Sequence, residues 1–595
     1  MTARLLAALA CSVFLPSWAT AAQVRLALPA DDDLASALEG ASLTVQAATD
    51  YESSRRDIVA AAQADYRRLL AVLWEAGHFG PVISIRIDGV EAAEAPVVGS
   101  SDPVGVVEIA VQAGPDYLFG QATIAPVARG TELPEGFAPG QPAGTDILRE
   151  TTSAGVDGWR ARGHAKAELA DQQITARHEA DRLDVALTLA PGPRLSYGPL
   201  FIEGAEDVRE GQISRIANLR QGRVYDPDEV ERAATRLQRT GAFRSVAITE
   251  AEEIGPANTL PMTVTVVERL PRRIGFGAEI ATDEGLGVNA YWLHRNLTGY
   301  ADSLRVEGAV EGIGGTTGGT DYTLGLTYNR PATFNPETDL YVAGTIESLS
   351  QENYDIERAG IEVGARRIVS DEFQYSYGLG FEQSRITDDF GTRNFSIFYL
   401  PAEATYDRRD DPLNPADGYY VDLEAQPFYG LQTAGGGLRY AADLRGYQGF
   451  GQDRRTVIAA RLQLGGVAGP DIEDVPADYL FYSGGGGTVR GQEYQSLDVE
   501  LPSGREVGGK SFAGLSAELR QGVTENIGIV GFVDAGYVSP EADYTDGESH
   551  VGAGLGLRYN TGIGPIRVDL GVPVSQPDRI DAGGVEIYIG IGQAF

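Results

Sequence analysis

Val551-Gly552-Ala553-Gly554-Leu555-Gly556-Leu557-Arg558-Tyr559 alternates without a break. Its odd positions are apolar or aromatic; its even positions are glycine or arginine. A period of two is the side-chain period of a β-strand. The neighbouring segments repeat it. Ile566, Val568, Leu570 and Val572 oppose Arg567, Asp569 and Gly571. Val585, Ile587, Ile589, Ile591 and Phe595 oppose Glu586, Tyr588, Gly590 and Gly592. An apolar face backed by a charged or glycine face suits a strand between lipid and a wet lumen. A soluble sandwich would turn the apolar face inward, and alternation by itself serves both.

Working back from this end, the pattern persists to about residue 270. Segments of roughly ten residues, separated by Gly, Asp, Asn and Pro turns, give about sixteen strands. The first runs from Arg273 to Ala281 and the last from Gly583 to Phe595. An even number puts both barrel ends on one side, where an N-terminal arm must lie. Composition agrees with such a barrel. Glycine is abundant, at 75 residues, and mean hydropathy is slightly negative. No segment has the ~18 apolar residues of a spanning helix. The 84 acidic against 48 basic residues, a net charge of −36, argue against nucleic acid as a partner.

The N-terminus reads as a secretory signal peptide over residues 1–22. Arg4 gives the positive start, Leu5 to Leu15 the apolar core, and Ala19-Thr20-Ala21 the small-x-small cleavage pattern. The one cysteine, Cys11, falls inside it, so no disulfide is expected. The leader, the repetition to the chain end and the terminal Phe595 select the membrane barrel over the sandwich.

Between leader and barrel the pattern mixes helices and strands. Ile58, Ala62, Leu69, Leu70 and Leu73 recur at helical spacing, with Gly77 in the position that closes a helix. Further on, Ile213, Ile216 and Leu219 mark a short helix. Asp226, Pro227 and Glu229 open another, and Gly241 ends it. Strands Ser245 to Glu250 and Leu260 to Glu268 follow. This order of strand, helix, helix, strand, strand, with Gly241-Ala242-Phe243-Arg244-Ser245-Val246 after the second helix, resembles a POTRA domain. Weaker copies end near Leu69 to Gly89 and span Phe119 to Pro193. The expected division is a POTRA-like domain over residues 23–114, a second over 115–193, a third over 194–269, and the barrel over 270–595. Such domains offer strand edges to incoming chains, which main-chain hydrogen bonds bind without regard to sequence.

Several barrel segments point to one family. Tyr482-Ser483-Gly484-Gly485-Gly486-Gly487-Thr488-Val489-Arg490-Gly491 sits in the longest non-alternating stretch, about 469–511. It resembles the V-R-G tip of an inward-folded sixth loop in the outer-membrane-protein assembly superfamily. That bacterial surface-antigen family includes the BamA and TamA types and two-partner secretion transporters. Gln492 stands where an aromatic is usual, and Tyr494 is the candidate to replace it. Tyr406-Asp407-Arg408-Arg409-Asp410-Asp411-Pro412-Leu413-Asn414-Pro415, His294 to Gly299, Phe532 to Gly536 and Gly562 to Asp569 also resemble the family. The resemblance implies a loop-anchoring site: Val489, Arg490 and Gly491 at the tip, with Glu518 and Asp534 on inward strand faces. It also implies a lateral seam between first and last strands. Gly275, Gly277, Gly590 and Gly592 would make those strands deformable, and Phe595 would close the last.

Gly504-Arg505-Glu506-Val507-Gly508-Gly509-Lys510-Ser511 fits a P-loop pattern. The period-two run from Phe512 to Gln521 denies it the helix that phosphate binding requires, so no nucleotide is expected. His78, His164, His178, His294 and His550 lack metal-ligand spacing, and no nucleophile elbow occurs. No enzyme, cofactor or metal is expected.

The reading is α+β POTRA domains followed by a 16-stranded antiparallel transmembrane β-barrel, with the barrel in the outer membrane and the arm in the periplasm. The resemblance implies a TamA-type assembly factor. Its expected partners are unfolded outer-membrane proteins or autotransporters, the lipid bilayer and an inner-membrane-anchored protein. A BamA type would carry five POTRA units. A two-partner secretion transporter would fit the same barrel, as would a passive porin or surface antigen.

Overall fold

The computed structural model describes residues 22–50, 53–95, 103–281, 285–315, 318–431, 435–451, 453–562, 564–580 and 583–595. The predicted signal peptide, Cys11 included, lies outside them except for Ala22, as does Ile563. Two compact units emerge: residues 1–198, 221–229 and 252–261 in one, and 199–220, 230–251 and 262–595 in the other.

In the first unit, strands Gln23–Ala27, Val106–Gln112, Val82–Ile87 and Val90–Glu91 form one sheet in that order. Helix Arg55–Glu75 covers it. A Ser54–Asp57 capping box starts this helix, and Ile58, Val59, Ala62, Leu69 and Leu73 are its buried stripe. Its buried Asp65 accepts from Ser42 Oγ (2.6 Å) and Thr44 N (2.8 Å), so this helix caps the start of the preceding one, Leu43–Thr49. Gly77 follows at φ +90°, where a Cβ would lie 2.5 Å from Ala143 O. Only glycine fits there. Leu118–Ala125, Arg182–Ala190 and Glu168–Arg177 make a second sheet in that order, with the single helix Thr145–Arg160.

The third sheet orders Ser196–Glu203, Thr259–Glu268 and Phe243–Glu250, with helices Glu210–Ala217 and Pro227–Arg239 between Ser196–Glu203 and Phe243–Glu250 in sequence. Asp226 Oδ1 accepts from Asp228 N (3.0 Å) at the start of the longer helix. In the second unit these helices are fastened to turns of the large sheet. Arg236, 4% exposed, donates to Ile216 O (2.9 Å) and Ala217 O (2.6 Å) at the end of the shorter helix. Its third arm pairs with Glu337 Oε1 at 2.7 Å. Arg215 and Gln212 donate to the carbonyls of Ala332 and Pro331.

The large sheet follows sequence order from Arg272–Ala281 to Glu586–Ile591, its neighbouring strands running antiparallel. Gly391–Tyr399 and Ala402–Asp407 pair with the same two neighbours and form one strand interrupted at Leu400-Pro401, where proline has no N–H for the ladder. The strands among the described residues therefore number sixteen. Phe276 (83% exposed), Ile274 (64%) and Leu555 (72%) belong to a broad outer face of exposed apolar side chains. Arg558, Asp569, Glu518 and Asp534 are buried on the other face. This is the lipid-outside arrangement, not that of a sandwich.

The last strand is shorter than the sequence pattern suggests. It spans Glu586–Ile591, leaving Val585 and Phe595 outside. Gly592, at φ +91°, turns the chain off the ladder. Phe595 then folds inward instead of facing lipid, 6% exposed, beside the Tyr447 ring and under the Arg520 guanidinium. The sixteenth strand comes up against the first, and among the described residues no ladder joins them.

Arg236 sits where a helix end and a barrel turn meet. Arg236→Ala should destabilise the third module by about 3–5 kcal/mol, because it strips both. Glu337→Gln, which leaves the carbonyl bonds, should cost about 1 kcal/mol or less. Limited proteolysis of the arm against an intact barrel measures the difference.

Candidate functional site

The loop between the eleventh strand (Thr456–Ala468) and the twelfth (Ser511–Gly522) supplies a heavily bonded cluster on the large sheet's inner face. Val489 and Arg490 are almost wholly buried at its tip. Arg490 grips Asp534 with two nitrogens, Nε to Oδ2 at 2.7 Å and Nη2 to Oδ1 at 3.0 Å. Nη1 reaches Glu518 Oε1 at 2.7 Å and Asp569 Oδ2 at 3.2 Å. The backbone N–H of Arg490 also donates to Asp534 Oδ2 (3.2 Å). The guanidinium carbon lies 3.7 Å from the centre of the Phe532 ring. Burial disfavours the charge, but Asp534 first, then Glu518 and Asp569, overcome this and hold the guanidinium above its ordinary range.

The carboxylates are shared onward. Arg520 Nε bonds Glu518 Oε2 at 2.8 Å, and Arg558 bonds Asp569. Arg520 also donates to Phe595 O (3.0 Å) and Pro415 O (3.3 Å), while Arg558 donates to Gln593 Oε1 (2.7 Å). Three guanidinium groups thus interleave with three carboxylates. The resemblance pairs Arg490 with Glu518 and Asp534. Parity puts Asp569 on the inward face without joining it to the cluster, and it assigns neither Arg520 nor Arg558 a place there.

Close approach of the loop depends on the wall. A Cβ on Gly552 would lie 2.0 Å from Arg490 O, and one on Gly571 2.6 Å from Gly491 N. Gly491 has φ +88° and abuts the backbone of Val572. Gln492 does not leave an aromatic-shaped gap for Tyr494. It is buried itself and donates to Val551 O (2.8 Å) and Ser575 O (3.2 Å). Tyr494 turns elsewhere, to Gln351 Oε1 (3.2 Å). No sequence signal marks the contact between His550 Nε2 and Ser483 Oγ, 2.8 Å apart and both buried.

The base of the loop has its own anchor. Tyr479 OH donates to Glu382 Oε1 (2.9 Å), and its ring meets Phe428 edge-on. Asp478 pairs with Arg358, which also bonds Glu347. Burial pushes the Asp478 carboxyl above its usual range, more than Arg358 pulls it down. Asp478 and Tyr479 carry no periodic signal.

The Asp410–Asp417 segment is a turn held by Asp410 Oδ1, which accepts from Ala416 N (2.9 Å) and Asp417 N (3.1 Å). It also receives the chain's final residues: Gln593 N donates to Leu413 O (3.1 Å) and Gln593 Nε2 to Asn414 Oδ1 (2.8 Å). The P-loop-like string runs directly into a strand at Ser511, and Lys510 Nζ donates to Pro470 O at 2.7 Å. The seam glycines are less empty than expected. A Cβ would meet the Tyr291 ring at Gly275 (2.3 Å), Asn289 at Gly277 (2.6 Å) and Arg567 at Gly590 (3.0 Å). They make room for side chains of the neighbouring strand.

A model of the Omp85 superfamily domain matches residues 296–595, or 300 of 595 residues. The chain belongs to the Omp85 superfamily. A POTRA model, described as surface antigen variable number repeat, matches residues 196–269. The chain is 23% identical over 437 residues to the outer membrane protein assembly factor BamA of Neisseria meningitidis, covering 66% of this chain and 52% of that protein. With BamA of Nitratidesulfovibrio vulgaris it shares 22% identity over 526 residues, covering 84% and 65%. It thus spans between half and two thirds of the curated relatives' length. The crystal structure of Haemophilus ducreyi BamA lacking POTRA domains 1–3 shares the fold, with a TM-score of 0.62 at 18% identity, covering 79% of this chain and 99% of that one. The Omp85 barrel is an outer-membrane barrel, and its POTRA arm is periplasmic.

Arg490→Ala leaves three buried carboxylates short of a cation and should lower stability by about 3–5 kcal/mol. Arg490→Lys, which keeps the charge but lacks the planar fork, should fall between it and wild type. The temperature at which the barrel loses its compact band in semi-native electrophoresis reads both. Asp478 gives a pH prediction. Its raised carboxyl binds a proton more tightly folded than unfolded, so its contribution is present at low pH and lost as pH rises through the raised value. From acidic to neutral pH, wild type should lose more thermal stability than Asp478→Asn.

Proposed function

We propose that this Omp85 protein is a non-enzymatic outer-membrane assembly factor. Its POTRA domains receive unfolded outer-membrane proteins or autotransporters, and its barrel assists their insertion through a lateral seam. The observation that carries this reading is the Omp85 barrel with a POTRA domain directly before it, in a chain similar to BamA assembly factors. The last strand is laddered to its predecessor along Ile566–Gly571, and among the described residues it shares no ladder with the first strand. Two strand edges in a bilayer that are not zipped to each other are a template for an incoming strand. The edge strands of the arm sheets offer the same kind of pairing on the periplasmic side.

The loop cluster has a place in this scheme. It braces the twelfth to fifteenth strands from inside, leaving the seam as the yielding line of the wall. We assign the chain to the TamA type, working with an inner-membrane-anchored partner and needing no nucleotide, metal or cofactor. Capture of such a partner by the full-length protein tests that assignment.

A disulfide engineered across the seam should abolish substrate assembly and restore it on reduction. Undiminished assembly by the oxidised protein would overturn lateral insertion. Depletion followed by quantitative outer-membrane proteomics should lower particular barrels or autotransporters, and would name the clients.

A further inference from the structure

The loop that carries Arg490 does more than brace the wall beside the seam. It also holds the last strand. Tyr588 stands opposite Asp569 in the register of the final hairpin and so faces inward, while Ile587, Ile589 and Ile591 point outward. The Tyr588 hydroxyl accepts a hydrogen bond from Gly491 N at 3.0 Å. Gly491 directly follows the clamped Arg490. The Tyr588 ring lies against Gly486, where an added Cβ would already stand 3.1 Å from the ring. Arg461 Nη1 fixes the next carbonyl, Gly487 O, at 3.1 Å. The segment leading into the last strand is held by the same loop: Arg579 donates to Asp498 Oδ1 (2.6 Å) and Asp498 O (2.7 Å).

One grip thus connects the loop tip to the last strand, which borders the seam, and a second connects the same loop to Arg579 ahead of it. We propose that Tyr588 is the coupling residue between the loop tip and the gate, so that seating Arg490 among its carboxylates fixes the last strand and unseating it frees that strand. This rests on the lateral-seam reading and adds a control to it: the tip holds the seam strand from within, one peptide away from the ion cluster. Tyr588 is a positioning residue. It acts through the strand backbone and touches no substrate.

Tyr588→Phe keeps the ring and removes the hydroxyl. Amide hydrogen exchange of Glu586–Ile591 is read in the full-length protein in lipid nanodiscs, with the compact electrophoretic band as the folding control. The variant should exchange about five- to tenfold faster in that strand, the size expected for losing one hydrogen bond. Asp534 and Glu518 should keep their protection. In an Arg490→Lys background the same change should add little, because the tip is already loosened. Unchanged exchange in Tyr588→Phe, or full additivity with Arg490→Lys, would overturn the coupling. Substrate assembly is scored separately. Faster exchange together with normal assembly by the disulfide-locked protein would keep the coupling and remove the gate.

Discussion

A guanidinium taken out of water among three carboxylates has no half-way state. With all its arms bonded, the Arg490 cluster is locally neutralised by Asp534, Glu518 and Asp569, with Arg520 and Arg558 sharing the excess negative charge. With Arg490 withdrawn, buried carboxylates face one another without it, which is costly in a medium poorer than water at screening charge. The loop is therefore either seated or absent from that position. The glycines of the wall enforce the same alternation sterically, since Gly552 and Gly571 admit the loop backbone at distances that any side chain would close off.

The loop is held at two distant places on the inner wall. Its base rests on Glu382 and Phe428 through Tyr479, and its tip on the strands carrying Glu518, Asp534 and Asp569. Between these anchors it crosses from one part of the sheet to another. A chain segment stretched between two fixed points is stiffer than a free loop, because fewer conformations connect its ends. That stiffness is what lets a contact at Gly491 bear on Tyr588 and the strand beyond.

Much of this is legible in the sequence, and what is not shares a physical cause. Period-two alternation places Glu518, Asp534 and Asp569 on one face, because strand geometry is local. It does not say which inward residues meet, since that depends on strand tilt and stagger around the sheet. Asp569 can thus be assigned its face but not its cluster. Phe595 escapes for a different reason. The expected strand runs through to Phe595, but Gln593 breaks the apolar face and a glycine at positive φ ends the ladder at Ile591. Asp478 and Tyr479 lie where no period exists, so nothing local announces an anchor. Gln492 shows the limit of resemblance: the missing aromatic is met by amide-to-carbonyl bonds, not by the nearby tyrosine.

The turn Asp410–Asp417 binds the residues that follow the last strand, and the Asn414–Gln593 bond joins positions 179 residues apart. Contacts of such separation close late, because the chain between them must already be ordered before their meeting costs little. The turn is therefore a receptor for the barrel's own completion. Until the earlier hairpin has formed, the tail has no seat. Once it has, Arg520 and Arg558 draw the tail inward through Phe595 O and Gln593 Oε1. A family signature that reads as a simple bend thus holds the chain just past the strand that borders the seam.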